Sequence, residues 1–228
     1  MKTLTVPALA ALPPASTTRP VVPLLPRRRI SGRVAIWSFL AGLCLITPLG
    51  FLLHAILPPA SAHEVLAVQR RLLETVFQPG WVILAAVIIA PLFEEIIFRG
   101  CLLSLLRRHT PTWVAVLGSS AVFGAIHLPR GPVNAIAAGV AGGLFAWLTL
   151  RTRSLLPGMI AHASLNFCGL FLVMPAFGLT QSILDAAPHS APSLFGLVPL
   201  WWTLLSVALG SASLVILHRS TRLPSARA

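Results

Sequence analysis

Acidic residues are scarce in this chain: its 228 residues include only five of them, against 17 lysines and arginines. Charged residues of either sign make up 10% of the sequence, whereas a soluble domain averages about 25%. The mean hydropathy is +0.87. These shortages exclude an ordinary soluble domain and predict an all-α membrane protein, a polytopic helix bundle of about six transmembrane helices.

Cysteine is also scarce, and Cys44, Cys101 and Cys168 lie in apolar segments at no metal-like spacing. We therefore interpret them as packing residues and expect no disulfide framework. The formal charge of +12 would suit nucleic acid, but the bases lie in short clusters at the ends of apolar runs. No face combines aromatic with basic residues, so we expect the lipid bilayer, and no nucleic acid, as a partner.

Proline and arginine mark the two ends of the apolar region. Residues 1–33 are rich in proline and end in an arginine cluster, which predicts a disordered basic tail, and residues 219–228 form a second basic tail. The predicted membrane domain is 34–218. A capping pattern at Ser61 and Glu64 predicts a short interfacial helix at 62–78. The six predicted spans are 34–57, 81–109, 112–128, 132–150, 154–177 and 194–217.

The distribution of basic residues predicts the orientation of these spans. With the N-terminus inside, the inner segments hold most lysines and arginines, and the outer ones hold only Arg70, Arg71 and Arg130. Cytoplasmic loops carry such an excess. We therefore expect both termini in the cytoplasm. Because the chain is short, we expect the membrane to be the inner (cell) membrane of a bacterium.

Two adjacent carboxylates, Glu94 and Glu95, lie with Arg99 inside the apolar second span, in the stretch APLFEEIIFRG. Carboxylates are costly there and are functional candidates by default. Glu95 and Arg99, four residues apart, share a helical face, while Glu94 is rotated by about 100° and has no such partner. The spacing predicts a Glu95–Arg99 ion pair and a reactive Glu94; a purely structural network is the alternative. Pro91 is expected to kink this helix.

Two histidines and an asparagine add polar groups to later spans: His127 near the end of the third, and His162 and Asn166 one turn apart in the fifth. A single histidine in an apolar helix is more often a packing residue, and His54 is interpreted in that way. Together with paired carboxylates, two imidazoles and an amide suit hydrolysis by an activated water. Glu94, His127 and His162 are also a ligand set compatible with zinc. The sequence leaves metal-bound and metal-free arrangements open.

Three motifs occur in order on the second, third and fifth predicted spans: Glu94-Glu95-x-x-x-Arg99, Phe123-x-x-x-His127 and His162-x-x-x-Asn166. This order resembles the CPBP family of intramembrane proteases, which includes CAAX prenyl proteases of the Rce1 type and bacterial Abi proteins. The resemblance covers the motif core, 81–170. It implies peptide-bond hydrolysis in which Glu94 activates water, His127 and His162 hold the water or a metal, and Asn166 stabilises the oxyanion. The implied catalytic residues are Glu94, Glu95, Arg99, His127, His162 and Asn166.

Three functions are open on the sequence. The first is hydrolysis of membrane-associated protein or peptide substrates; the second is a non-catalytic scaffold or immunity-type regulator of the same fold. A proton-coupled transporter is less favoured because no inverted repeat is visible.

Glu94 lies deep in its predicted span, whereas His127 lies at the end of its own. They can meet only if the turn at 129–131 dips into the membrane or the second helix bends at Pro91.

Overall fold

A computed structural model of the protein describes residues 30–56, 84–173 and 200–221. These residues form helices and no strand, which confirms the all-α prediction. The predicted interfacial helix at 62–78, most of both predicted tails and the loop between the fifth and sixth spans lie outside the described residues.

Within the described residues, six helical rods, each a helix or a run of consecutive helical segments, follow one another at the positions of the predicted spans. Three of them, α1, α4 and α6, include stretches long and apolar enough to cross a membrane, while α3 and α5 are shorter apolar helices. The protein is therefore a membrane protein. The rods are α1 (Gly32–Ile56), α2 (residues 85–109), α3 (Thr112–Ala125), α4 (Pro132–Thr152), α5 (Leu156–Cys168) and α6 (Leu200–Ser220).

Two short segments change the geometry at the ends of these rods. A 3-10 turn at Leu128–Arg130 joins α3 to α4, and a π-helical turn at Gly169–Val173 extends α5. The 14 residues of α3 span about 21 Å, less than a hydrocarbon core of about 30 Å. Helix α3 alone is therefore too short to cross the hydrocarbon core.

Helix α2 alternates between two hydrogen-bonding patterns. It consists of the π segment Ala85–Ile89, the α segment Ala90–Glu95, the π segment Ile96–Leu102 and the α segment Leu103–His109. The disturbance expected at Pro91 therefore takes the form of a π turn directly before it. Such wide turns inside helices are frequent at functional sites.

Close helix contacts form where small residues face each other. A Cβ on Gly42 of α1 would collide with the Ala161 carbonyl and the Ser164 hydroxyl of α5. A Cβ on Gly124 of α3 would lie 2.6 Å from the Ala135 carbonyl of α4. Helix α1 packs along both α5 and α6, and α4 packs against α3 and α5. The largest group of buried apolar residues includes Phe98, Phe123, Phe145, Leu148 and Ala161, and it surrounds the polar residues of α2.

Candidate active site

Glu95 and Arg99 form a fully buried pair on α2. Oε1 of Glu95 lies 3.0 Å from Nη1 of Arg99, as the four-residue spacing predicts. The guanidinium N–H bonds do not point directly at this oxygen. Attraction between the two charges, rather than a well-aligned hydrogen bond, therefore holds the pair. Removing either partner would leave an uncompensated charge in the core.

Three phenylalanine rings surround the Arg99 guanidinium. Its central carbon lies 4.4 Å from the centroid of the Phe123 ring, 5.4 Å from Phe145 and 5.9 Å from Phe98. The faces of aromatic rings attract cations, and the attraction grows when water is excluded. Because the rings belong to α2, α3 and α4, the buried cation joins three helices at one point.

His162 of α5 is the second partner of Glu95. Its Nδ1 lies 3.0 Å from Oε1 of Glu95, and its ring stacks on Phe145 with centroids 4.7 Å apart. The carboxylate that is paired with Arg99 can only accept a hydrogen bond, so Nδ1 carries the proton. Nε2 of a neutral His162 then keeps its lone pair. The residues that hold this ring are themselves buried, and its orientation is therefore fixed.

Glu94 differs from Glu95 in both exposure and contacts. Its side chain is 27% exposed, and its Oε2 lies 3.6 Å from Nε2 of His162, too far for a direct hydrogen bond. Glu94 lacks an i+4 cation on its own helix. Oε2 of Glu94 is buried without a hydrogen-bond partner among the described residues. The rest of the side chain is partly open to a water molecule or a substrate, whereas the neighbouring Glu95 is sealed in the core.

His127 lies just beyond the end of α3, at the turn toward α4. Its Nδ1 donates to the Phe123 carbonyl at 2.8 Å, and the two rings lie 4.8 Å apart. The carbonyl can only accept, so Nδ1 carries the proton and Nε2 is the free nitrogen. Phe123 also contacts His162 edge-on at 5.6 Å. The rings of both predicted catalytic histidines thus pack against Phe123.

Asn166 lies one turn beyond His162 but contacts a different part of α2. Its Nδ2 donates to the Ala86 carbonyl at 2.9 Å, eight residues before Glu94. The structure therefore brings Glu94, Glu95, Arg99 and His162 into one contiguous cluster and connects His127 to it through Phe123. Asn166 is bound to the backbone of the π segment Ala85–Ile89.

Several residues of this site carried no signal in the sequence analysis. Phe98 and Phe145 enclose Arg99, and two glycines leave room for the ion pair. A Cβ on Gly142 would lie 2.9 Å from Nη2 of Arg99, and a Cβ on Gly158 would lie 3.2 Å from Oε2 of Glu95. For Gly142, the frequent small residues of α4 are a signal in the sequence that points to close packing.

The predicted zinc ligands Glu94, His127 and His162 only partly fit a metal. Both imidazoles donate their Nδ1 protons to acceptors, which is the arrangement that leaves Nε2 ready to bind a cation. Within the described ranges, however, no three histidine, cysteine, aspartate or glutamate side chains lie close enough to hold an ion. As placed, these three side chains therefore do not form a complete ligand set for a metal.

This chain matches a known protein family over part of its length. No curated protein and no solved structure matches it. Residues 76–168 match a family model described as "Type II CAAX prenyl endopeptidase Rce1-like". That segment contains all three motifs and every residue of the cluster described above. The segment 76–168, and with it the candidate active site, is therefore similar to the Rce1-like family.

Proposed function

We propose that this protein is an intramembrane endopeptidase that hydrolyses peptide bonds in membrane-associated protein or peptide substrates, using a water molecule activated by Glu94. The observation that carries the proposal is the difference between the two adjacent carboxylates. Glu95 is buried and engaged by both Arg99 and His162. Glu94 is partly exposed beside Nε2 of His162.

The proposed reaction begins with a water held near Glu94. The carboxylate takes one proton from this water, and the resulting hydroxide attacks the carbonyl carbon of the scissile peptide bond. Collapse of the tetrahedral intermediate breaks the C–N bond. The proton held by Glu94 passes to the leaving nitrogen, so that a new carboxyl end and a new amine are formed.

The two histidines support this step through their free Nε2 atoms. With Nδ1 occupied by Glu95 and by the Phe123 carbonyl, respectively, each Nε2 is available as a hydrogen-bond acceptor. One O–H of the water faces Glu94, and the other can donate to Nε2 of either His162 or His127. Accepting such a bond orients the oxygen lone pair for attack. His162 and His127 are therefore proposed to position the water, and Glu95 with Arg99 to hold His162 in place.

The surface around Glu94 favours a substrate that arrives from the bilayer. Leu92, Phe93 and Ile97, which flank the carboxylates on α2, are all exposed apolar side chains. A hydrophobic peptide segment can approach Glu94 along this surface without leaving the membrane. The proposed substrate class is therefore a membrane-associated polypeptide.

The proposal is tested by comparing the membrane peptides of cells that produce the wild type with those of cells that produce Glu94→Gln. This substitution keeps the size of the side chain and removes the base. We expect substrates to accumulate in the variant and cleavage products to disappear, with unchanged amounts of folded protein. Peptide profiles identical in the two strains, together with a retained cellular phenotype for Glu94→Gln, would favour the scaffold alternative.

A further inference from the structure

The hydrogen bond from Asn166 meets a backbone position that the helix itself cannot satisfy. In an α-helix the Ala86 carbonyl would accept from the N–H of residue 90, four positions later. The N–H of Ala90 instead donates to the Ala85 carbonyl, five positions earlier. The donor for Ala86 in that wider register is residue 91, which is a proline and has no N–H. Both helical donors to Ala86 are therefore lost.

An unsatisfied carbonyl inside a membrane protein is costly, because no water replaces the missing donor. The amide of Asn166 supplies the replacement at 2.9 Å from the Ala86 oxygen. It does so from α5, a different helix. The defect created by Pro91 is thereby converted into a bond between α2 and α5.

This bond and the His162 bond together fix how α5 lies on α2. His162 contacts Glu95, while Asn166, further along α5, contacts Ala86, which precedes Glu95. The two helices therefore run antiparallel, with one side-chain bond on each side of Pro91. Any rotation of the short segment Ala90–Glu95 that carries both carboxylates must strain one of these two bonds.

We propose that Asn166 is a positioning residue that replaces the backbone N–H missing at Pro91 and so sets the direction in which α2 presents Glu94. This role differs from donation to the oxyanion, which the motif resemblance implies. The inference builds on the proposed function, because it assumes that Glu94 is the base. Its structural part, the coupling between Asn166 and Pro91, holds whatever the chain catalyses.

A double-mutant cycle tests the coupling, since Pro91→Ala restores a backbone N–H to residue 91. We expect Asn166→Ala alone to lower the Tm of the purified protein by about 3 to 8 °C, the effect of one unsatisfied buried carbonyl. In the Pro91→Ala background the same substitution should lower the Tm by less than half as much. We also expect kcat per folded molecule to fall roughly 10-fold in Asn166→Ala with KM unchanged, because Glu94 is misdirected.

Asn134→Ala is the matched control, because Asn134 also donates its Nδ2 to a backbone carbonyl, that of Arg130 at 2.6 Å, but this bond is exposed and joins residues four apart in the chain. Its Tm and kcat should match the wild type. Hydrogen exchange of the peptide covering 84–95 gives a second test that does not need the Pro91 variant: exchange should accelerate there in Asn166→Ala and not in Asn134→Ala.

Equal loss of Tm in both backgrounds, or unchanged exchange at 84–95, would overturn the positioning role. A loss of kcat in Asn166→Ala with no change in Tm or exchange would assign Asn166 to the oxyanion instead. These outcomes are separate from failure of the proposed function. A protein with no hydrolytic activity can still show the coupling in Tm, and an active protease can lack it.

Discussion

At the scale of single residues, neighbouring glutamates acquire different properties from their surroundings. Glu95 faces the guanidinium of Arg99 and the ring of His162 and is fully buried. Glu94, one position earlier, points about 100° away around the helix and keeps 27% of its side-chain surface exposed. Glu95 is therefore enclosed by its two partners, whereas Glu94 is a carboxylate that a reactant can approach.

Arg99→Ala and Glu94→Gln are expected to affect the protein in different ways. Removing Arg99 leaves Glu95 buried without its cation, which should cost about 3 to 5 kcal/mol of folding free energy. Glu94→Gln keeps the partly exposed site intact and should change stability by less than 1 kcal/mol, about the scale of an ordinary surface substitution. The amount of folded protein in the membrane and its Tm measure both effects. Equal loss of folded protein in the two variants would support the purely structural network.

Gly142→Ala and Gly143→Ala test how tightly the guanidinium is enclosed. A Cβ at Gly142 would lie 2.9 Å from Nη2 of Arg99 and 3.2 Å from Phe123, while a Cβ at Gly143 meets nothing nearer than 3.9 Å. Arg99 has aromatic rings around it and little room to move. We expect the first variant to lose about 1 to 3 kcal/mol of stability and the second to be neutral or slightly stabilised, as replacing a helical glycine usually is. Similar Tm values for both would contradict the tight enclosure.

Metal content distinguishes two ways of activating the water. Because Glu94, His127 and His162 do not form a ready ligand set in the described geometry, we expect purified protein to contain well under one equivalent of zinc and to keep its turnover in the presence of chelators. The control is the His162→Ala variant, which should lose activity without any change in metal content. One equivalent of zinc that disappears with either histidine, together with chelator-sensitive turnover, would establish the metal-bound alternative.

The residue-level contacts that the sequence predicts are the local ones. The Glu95–Arg99 pair follows from a four-residue spacing on one helix. The bonds from His162 to Glu95 and from Asn166 to Ala86 join positions 67 and 80 residues apart. Their existence depends on how the helices pack, which periodicity alone does not determine. For the same reason the rings around Arg99 could not be chosen among the many phenylalanines of the chain.

At the scale of elements, the apolar runs predict the helix ends that lie within the described residues to within a few positions. The predicted end of the fifth span at 177 and the predicted start of the sixth at 194 lie outside those residues. The exceptions are informative. The third predicted span extends to residue 128, but α3 ends at Ala125 and a 3-10 turn follows. The π segments of α2 were foreseen only as a kink at Pro91. A carbonyl that loses its N–H donor to a proline can find another donor in several ways. Here the donor is Asn166 of α5, 80 residues away in the sequence.

Gly42→Ala tests whether the contact between α1 and α5 positions the site. A Cβ at Gly42 would collide with the carbonyl of Ala161, the residue before His162, so α5 must move away from α1. We expect a Tm lower by several degrees, from about 1 to 3 kcal/mol of overpacking, and a lower kcat because His162 is displaced. Gly32 on the same helix has open space around its Cβ position, so Gly32→Ala should match the wild type. A normal kcat in folded Gly42→Ala would show that α1 does not position His162.

At the scale of the whole molecule, the site and the family match occupy the same part of the chain. The matched segment, 76–168, covers the described helices α2 to α5. Helices α1 and α6 lie outside it and pack against each other, and α1 also packs on α5. We therefore interpret α1 and α6 as a support for the helix that carries His162 and Asn166, added to a core that contains all of the candidate chemistry.

The arrangement of helix ends supports a prediction about orientation. Arg151, near the end of α4, donates to the His218 carbonyl at 3.1 Å and to the Thr221 hydroxyl at 3.2 Å, at the end of α6. The C-terminal ends of these two helices therefore lie on the same side of the protein. Arg219 is on that side as well, whereas Arg130 lies at the opposite end of α4.

We expect the side with Arg151 and Arg219 to be cytoplasmic, because arginine is retained on that side of a membrane. Paired reporters, one active only inside the cell and one only outside, can be fused after Arg108, within 178–193 and at the C-terminus. The first and third fusions should report inside, and the second should report outside. Arg151 holds the C-terminal ends of α4 and α6 together, and α3 and α4 return the chain to the side of Arg108. First and third fusions on opposite sides of the membrane would therefore contradict the fold. A cytoplasmic signal from 178–193, with the other two outside, would keep the fold and reverse the orientation.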